Sequence, residues 1–409
     1  MRVTSHRSVL AGVAVGALAA LTLTGCGSTD ADSTDADSST ASGTASAAAA
    51  ASSTGSAEST GSSGSTGSTG SYDTATLDES TDWILGRTDK GLIYNKQYQF
   101  DDYSLSADLG LSLAAIGGHA PELATIAKAV SANSTTYLAP GYGTLVSAGS
   151  AAKAAVLEQA ADAGAGVVGP LVTKLESTVV GSGPAAGRIE DKIDTGVKNA
   201  ADYANTIGQS LAVRALNAAG SDKAPEATAF LLDQQCSDGG FRLYFSAAKA
   251  ADQSCVHGSG SSDVDVTAYA VLALAELPDP SAAQQQALDD AVGWLREVQA
   301  GDGSFSSAKP VVANSNSTGL AGTALGEVGE ATGDADDTAA AEAAARWVSA
   351  HVVGCGAAAG AIAYDAAALK TANATGITVK TQGQFDLATA QALPVLQWLP
   401  AGAAGATTC

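Results

Sequence analysis

Basic residues are scarce in this chain: 20 Lys and Arg stand against 42 Asp and Glu over 409 residues, a formal net charge of −22. A nucleic-acid partner requires a basic face, so that class is excluded. The same deficit speaks against the protein lying flat on anionic lipid. Histidine is also rare, with four residues, and no metal site is expected. No Gly-rich phosphate loop, G-x-S-x-G or H-E-x-x-H occurs, which removes the commonest nucleotide-binding, serine-hydrolase and zinc-protease signatures. Runs rich in β-branched residues are short, so few strands are expected.

Long apolar runs are missing too, except near the N-terminus. Residues 10–23 are apolar, follow Arg2 and Arg7, and are too short for a comfortable membrane span. They read as an export signal. The run ends Leu23-Thr24-Gly25-Cys26, which resembles the bacterial lipobox. That resemblance implies cleavage before Cys26 and lipidation of its sulfur, an anchor that does not span the bilayer. Residues 27–71 are almost wholly Ser, Thr, Gly, Ala and Asp. Such a segment buries too little surface to offset its ordering entropy and is expected to be a disordered tether. Three parts follow: a signal peptide over 1–25, a lipidated cysteine and linker over 26–75, and one folded domain over 76–409. The expected location is extracytoplasmic, anchored to the cell membrane by lipid.

Four cysteines remain: Cys236, Cys255, Cys355 and Cys409. An even number in an exported chain favours two disulfides. Of three connectivities, Cys236–Cys255 and Cys355–Cys409 are preferred, because each fastens its chain locally. Zinc on Cys255 and His257 is the alternative, but no second ligand pair has zinc-site spacing.

The Ala-rich part hides a repeat. DYSLSADLGLSL (102–113), DVDVTAYAVLAL (263–274) and NSNSTGLAGTAL (314–325) share a polar-x-polar-x-Ser/Thr start followed by a small-residue helix. NTIGQSLAVRAL (205–216) and QGQFDLATAQAL (382–393) fit more loosely. Each such helix follows a more polar amphipathic one, such as ALDDAVGWLREVQ (287–299). Between the two comes a Gly-aromatic turn: KGLIY (90–94), SDGGF (237–241), GDGSF (301–305) or GAIAY (360–364). Fainter hairpins begin near 120 and 169. A helix apolar all round is buried on all sides, so six buried helices ringed by six amphipathic ones predict a double-walled, all-α (α/α)6 toroid.

The turn at 234–241, of Q-x-x-D-G-G-F type, and the D-x-D-x-T-A opening at 263–268 resemble the repeats of the prenyltransferase and squalene-cyclase superfamily. The resemblance covers roughly 76–400 and implies the α/α toroid. In the cyclases of that superfamily the inner-helix motif is D-x-D-D and its middle aspartate protonates an alkene. Asp263 and Asp265 match the first two carboxylates, while Val266 replaces the last. The layout is also similar to the α-domain of transcobalamin-type carriers.

Three roles stay open for the aspartates: helix capping, ligand contact and acid catalysis. Capping has the repeat behind it, since Asn314 and Asn316, and Asp102 and Ser104, stand at the same places, and Asp, Asn and Ser are favoured N-caps. A literal D-x-D-D-T at 334–338 falls in the opposite corner and reads as a helix start. Parallel inner helices bring their N-termini to one mouth. A ligand site is expected there from Asp102, Asp263, Asp265, Asn314, Asn316 and Gln384, walled by Tyr94, Phe241, Phe305 and Tyr364. The first expectation for function is a lipid-anchored lipoprotein that captures a small amphipathic ligand without catalysis, a corrinoid being the first guess and no other cofactor being expected. The alternative is a terpene-cyclase or prenyltransferase-like enzyme with Asp265 as acid. A third is an envelope scaffold that docks a partner protein.

Overall fold

The computed structural model describes residues 72–403 apart from 142, 258–259 and 307–310. The signal, Cys26, the linker and Cys409 therefore lie outside the described residues. Six helical hairpins follow one another. The first pairs α1 (Ala75–Leu85) with α2 (Tyr103–Ile116), through β1 (Thr88–Asp89), β2 (Leu92–Asn95) and β3 (Phe100–Asp102). The second runs from α3 (Ala120–Ala132) through the short α4 (Ser134–Leu138) and β4 (Thr144–Val146) to α5 (Ala148–Ala160). The third joins α6 (Ala165–Thr178) to α7 (Thr206–Ala218) by way of β5 (Lys192–Ile193), which pairs antiparallel with β4. The fourth joins α8 (Ala224–Leu232) to α9 (Val264–Ala275), and the fifth α10 (Ala282–Val298) to α11 (Ser315–Thr332). The sixth runs from α12 (Ala335–Ser349) through an inserted α13 (Ala366–Thr375) to α14 (Val379–Ala392), which continues as a 3₁₀ turn over Leu393–Trp398.

Helices α2, α5, α7, α9, α11 and α14 each touch the next, and α14 packs back on α2. They form the closed inner ring of the toroid. The outer helices cover it, burying an apolar stripe such as Ala287, Leu288, Ala291, Val292 and Leu295 of α10.

Small residues let the inner helices approach. A Cβ on Gly208 would stand 3.2 Å from the Cα of Gly149 across the α5–α7 contact. On α11, a side chain at Gly319 would strike the Cα of Ala392, and one at Gly326 the ring of Trp398, which is fully buried. Larger residues would overpack this seam.

A second device locks neighbouring hairpins. Gly91, Gly187, Gly239, Gly303 and Gly360 all have φ between +85° and +97°, a region open to glycine. A Cβ on each would collide with a backbone carbonyl of the next outer helix: Thr125, Glu226, Asp290, Ala343 and, for Gly360, Glu79 of α1. Two residues after each glycine a buried side chain wedges the layers apart, namely Ile93, Ile189, Phe241, Phe305 and Ile362. The wedge residue's N–H donates to an inner-helix side chain at 2.9 Å in all five: Ser106, Gln209, Thr267, Thr318 and Thr389. The chain ends of the toroid meet as well, where Tyr72 bridges Pro400 and the Asp73 N–H donates to the Leu399 carbonyl at 2.7 Å.

Cys236 and Cys255 form the expected disulfide. It closes a loop organised on the buried Arg242, whose guanidinium donates to the Gln234 side chain and the Gln253 carbonyl. Cys355 is also disulfide-bonded, and its expected partner Cys409 lies outside the described residues. Among the described residues no helix is long and apolar enough to cross a membrane.

Candidate functional site

The inner-helix N-termini do meet at one mouth, where side chains cap them. Asp102 accepts from the Leu105 N–H at 3.0 Å, Asp263 from Val266 at 3.2 Å and Asn314 from Ser317 at 2.9 Å. Ser147 and Asn205 cap α5 and α7 in the same way. Each bond satisfies an orphan helix donor and is worth about 1 kcal/mol. Capping thus occupies Asp102, Asp263 and Asn314, and the last is fully buried. Two residues further along, Asp265 and Asn316 take the positions that turn away from the cap.

Those positions begin a stripe facing the lumen. Four residues on come Asp108 of α2, Lys153 of α5, Tyr269 of α9 and Gln391 of α14. Asp108 and Tyr269 sit on helices three places apart in a ring of six; burial raises the Tyr269 hydroxyl above its ordinary range, and the Asp108 carboxylate adds to it. Lys153 Nζ pairs with Asp108 Oδ1 at 2.5 Å and donates to Ser104 Oγ at 3.1 Å. Burial works against the ammonium and is the largest single influence, but the groups around it, Asp108 foremost and then Tyr137 and Tyr269, together outweigh it and Lys153 stays charged. Asn316 Nδ2 donates to Gln391 Oε1.

Like Asn316, Asp265 keeps its Oδ1 buried with no hydrogen-bond partner in the protein. Its pKa is pushed up to about 6, chiefly by burial and further by the Asp263 charge, against a lowering hydrogen bond from Ser317. A carboxyl in this state retains its proton in mildly acid solution and can donate it. Val266 is fully buried and packs in the core, so no third carboxylate stands in its place.

Several expected site residues fall elsewhere. Phe241 and Phe305 are sealed inside the wall as wedges and present no face to a ligand. Tyr94 and Tyr364 are not their counterparts; Ile93 and Ile362 hold the wedge bonds. Tyr94 faces solvent, and Tyr364 is half-buried with its carbonyl accepting from the Ser315 N–H at 2.8 Å. Gln384 is out of register by three residues. Thr389, not Asp386, is the equivalent of Thr267, because α14 begins with additional residues ahead of the mouth. Asp334, in the literal D-x-D-D-T, caps α12 by accepting from Asp336 and Asp337 N–H groups.

Sequence reasoning missed Asp108, Lys153, Tyr269 and Gln391. The signal was present: a lone Lys or Asp inside an Ala- and Leu-rich helix either finds a partner or is not tolerated. A cleft of about 720 Å³ also opens outside the lumen, lined by Trp83, Arg87, Asn373 and Gln382 among others.

This geometry defines an α/α toroid of terpenoid-cyclase-like fold with a polar tier at one mouth. Solved structures share that fold. The type II terpene cyclase MstE from Scytonema matches with a TM-score of 0.54 and 15% identity, over 78% of this chain and 96% of that one. A protein from Actinoplanes matches at 0.52 and 15%, over 79% and 98%. An unsaturated glucuronyl hydrolase specific for heparin matches at 0.54 with 10% identity, over 79% and 95%. No family model matches the sequence, and no curated protein does. Likeness at this identity carries the fold alone, and chemically unrelated enzymes share it.

Proposed function

We propose that the toroid receives a small, mainly apolar ligand of the isoprenoid class through the inner-helix mouth, and that Asp265 donates a proton to it. The observation that carries this is the state of Asp265: half-buried at the inner-helix mouth, with a raised pKa and a buried, unpartnered oxygen. Such a group is a general acid in waiting. In the reaction the Asp265 proton adds to a terminal alkene, the cation closes onto a second double bond, a C–H beside the new cation gives up a proton to water, and water returns a proton to Asp265. The product is an isomer of the substrate. The fold supports the reading, since MstE is a type II terpene cyclase and a variant of it has been described bound to geranylgeranyl dihydroxybenzoate as substrate. Two toroids are not needed for that chemistry, because the MstE chain is matched over 96% of its length.

A second reading is capture without turnover, with a corrinoid as the first ligand to try. Val266 favours it, because the carboxylate that would orient and strengthen the acid is replaced by a buried aliphatic side chain. Both readings place the protein outside the cytoplasm, anchored through Cys26 and open to a partner envelope protein. The disulfides support that placement.

The test is incubation of the protein with geranylgeraniol near pH 5.5, followed by chromatography with mass detection. A product of unchanged mass and altered retention, lost in Asp265→Asn, is the expected result. Binding without any product, equal in both proteins, would establish capture instead. Absence of binding to geranylgeraniol and to cobalamin alike would refute both readings.

A further inference from the structure

The sixth hairpin departs from the repeat. Between its wedge residue, Ile362, and its inner helix it carries an additional helix, α13, which the other wedged connections lack among the described residues. The insertion has a small core of its own in Val353, Ala361, Ala363, Ala372 and Phe385, with Trp83 and Ile377 packed against it. Beside that core lies the cleft of about 720 Å³, within the range of small-molecule sites. Its walls are the end of α1, the loop 355–358, the end of α13 and the start of α14. Cys355 fastens the loop through its disulfide.

The lining is mixed and its charges balance. Trp83, half-buried, brings an indole, and Ala372 and Ile377 bring apolar surface. Arg87 is held by the fully buried Asp386, whose Oδ1 accepts from Nε at 3.1 Å. Nη1 and Nη2 have no partner among the described residues and remain as donors. Gln382 Nε2 donates to the other Asp386 oxygen at 3.2 Å, which leaves its Oε1 as an acceptor. Asp82 and Asn373 are exposed. Asp82 and Arg87 are the only charged side chains of the described lining, and they cancel. Behind them the Asp386 carboxylate has Lys96 as well as Arg87 near it.

Each feature narrows the ligand. A lining without net charge selects neither an anion nor a cation. No strand borders the cleft to pair with an extended peptide, and its polar residues offer no apolar groove to a helix. A wholly apolar ligand would cover the Arg87 donors without pairing them. We propose that the cleft binds a neutral carbohydrate, with a pyranose ring against the Trp83 indole and its hydroxyls on Asp82, Arg87, Asn373 and Gln382. Where ring substituents are equatorial, the two faces of a pyranose present C–H bonds, which pack on the negative face of an indole. Neighbouring hydroxyls donate and accept in pairs, which suits a planar guanidinium, carboxylate and amide. The site lies outside the lumen and stands whether or not Asp265 protonates a ligand.

The test is titration calorimetry of the full chain with cellobiose, a β-linked disaccharide with equatorial hydroxyls. Sorbitol, which carries the hydroxyls of glucose without a ring, is the control. Cellobiose is expected to bind and sorbitol not. Asp82→Ala with Asn373→Ala changes only exposed side chains and lowers the affinity about tenfold. Trp83→Ala lowers it by about tenfold or more, whereas Trp83→Phe keeps it within about threefold. Asp265→Asn, in the lumen, leaves it within about twofold. Thermal melts matching the parent show that each variant folds. Should Trp83→Ala not fold, the Asp82/Asn373 variant and Trp83→Phe decide. No binding of cellobiose, equal binding of sorbitol, or unchanged affinity in the Asp82/Asn373 variant overturns the proposal. So does a loss in Asp265→Asn, which would put the sugar in the lumen.

Discussion

Replacing Asp265 by Asn removes a lumenal carboxyl whose ionisation the fold resists. Its pKa rises from 3.8 to about 6, so between those values the folded state holds a proton that the unfolded state has released. Stability linked to this group is complete below the unfolded value and is lost as pH rises through the folded one. At about 1.36 kcal/mol per unit, a shift of roughly two units makes ionised Asp265 cost about 3 kcal/mol at pH 8. Asparagine is neutral throughout, so the variant is expected to be more stable than its parent by up to that amount at pH 8. By linkage the advantage falls to about half between pH 8 and pH 5. That window lies above the isoelectric point of about 4.3, so precipitation does not intervene. Urea unfolding at pH 5, 6.5 and 8, followed by tryptophan fluorescence and compared at a common m-value, reads the difference. An advantage that stays constant across the three pH values would refute the protonated state of Asp265, and the general-acid argument would fall with it.

Other perturbations test the frame around the site. Gly326→Ala drives a methyl into the Trp398 ring and is expected to cost about 1–3 kcal/mol in urea unfolding. Asp108→Leu alone strands the Lys153 ammonium in the lumen and costs about 3–5 kcal/mol, whereas adding Lys153→Met recovers most of the loss. Reduction of Cys236–Cys255, a separation of 19 residues, costs about 3 kcal/mol by loop closure, and hydrogen exchange across 236–262 should rise with it.

Much of the toroid was readable because each inner helix repeats its polar start and each turn its glycine. The hairpins near 120 and 169, though faint, fall at α3 and α6. The sixth inner helix was misaligned because Gln382 and Gln384 imitate the polar-x-polar start. The discriminating feature is Thr389, whose hydroxyl accepts from Ile362 across a loop lengthened by α13. Insertions erase spacing, and spacing was the only ruler the sequence offered. The aromatic walls failed for another reason. A Phe after Gly-Gly reads the same whether it faces a ligand or wedges two helix layers, and only the depth of Phe241 and Phe305 decides. The lumenal tier was invisible as a tier because Asp108, Lys153 and Tyr269 come from three hairpins. Each is unremarked within its own helix, and they meet only when the ring closes.

That closure has a further meaning. In an open array of repeats the first and last units have one neighbour each and need special caps. Here the turn of the sixth hairpin seats Gly360 against Glu79 of the first, and residues 72–73 are stitched to 399–400. No unit is terminal. None can peel away without breaking two contacts at once, so the circle has no frayed end from which unfolding starts. Which hairpin is called the first is a matter of where translation begins. A chain restarted at the far corner near 220–223, with its old ends joined, would keep every interface described above.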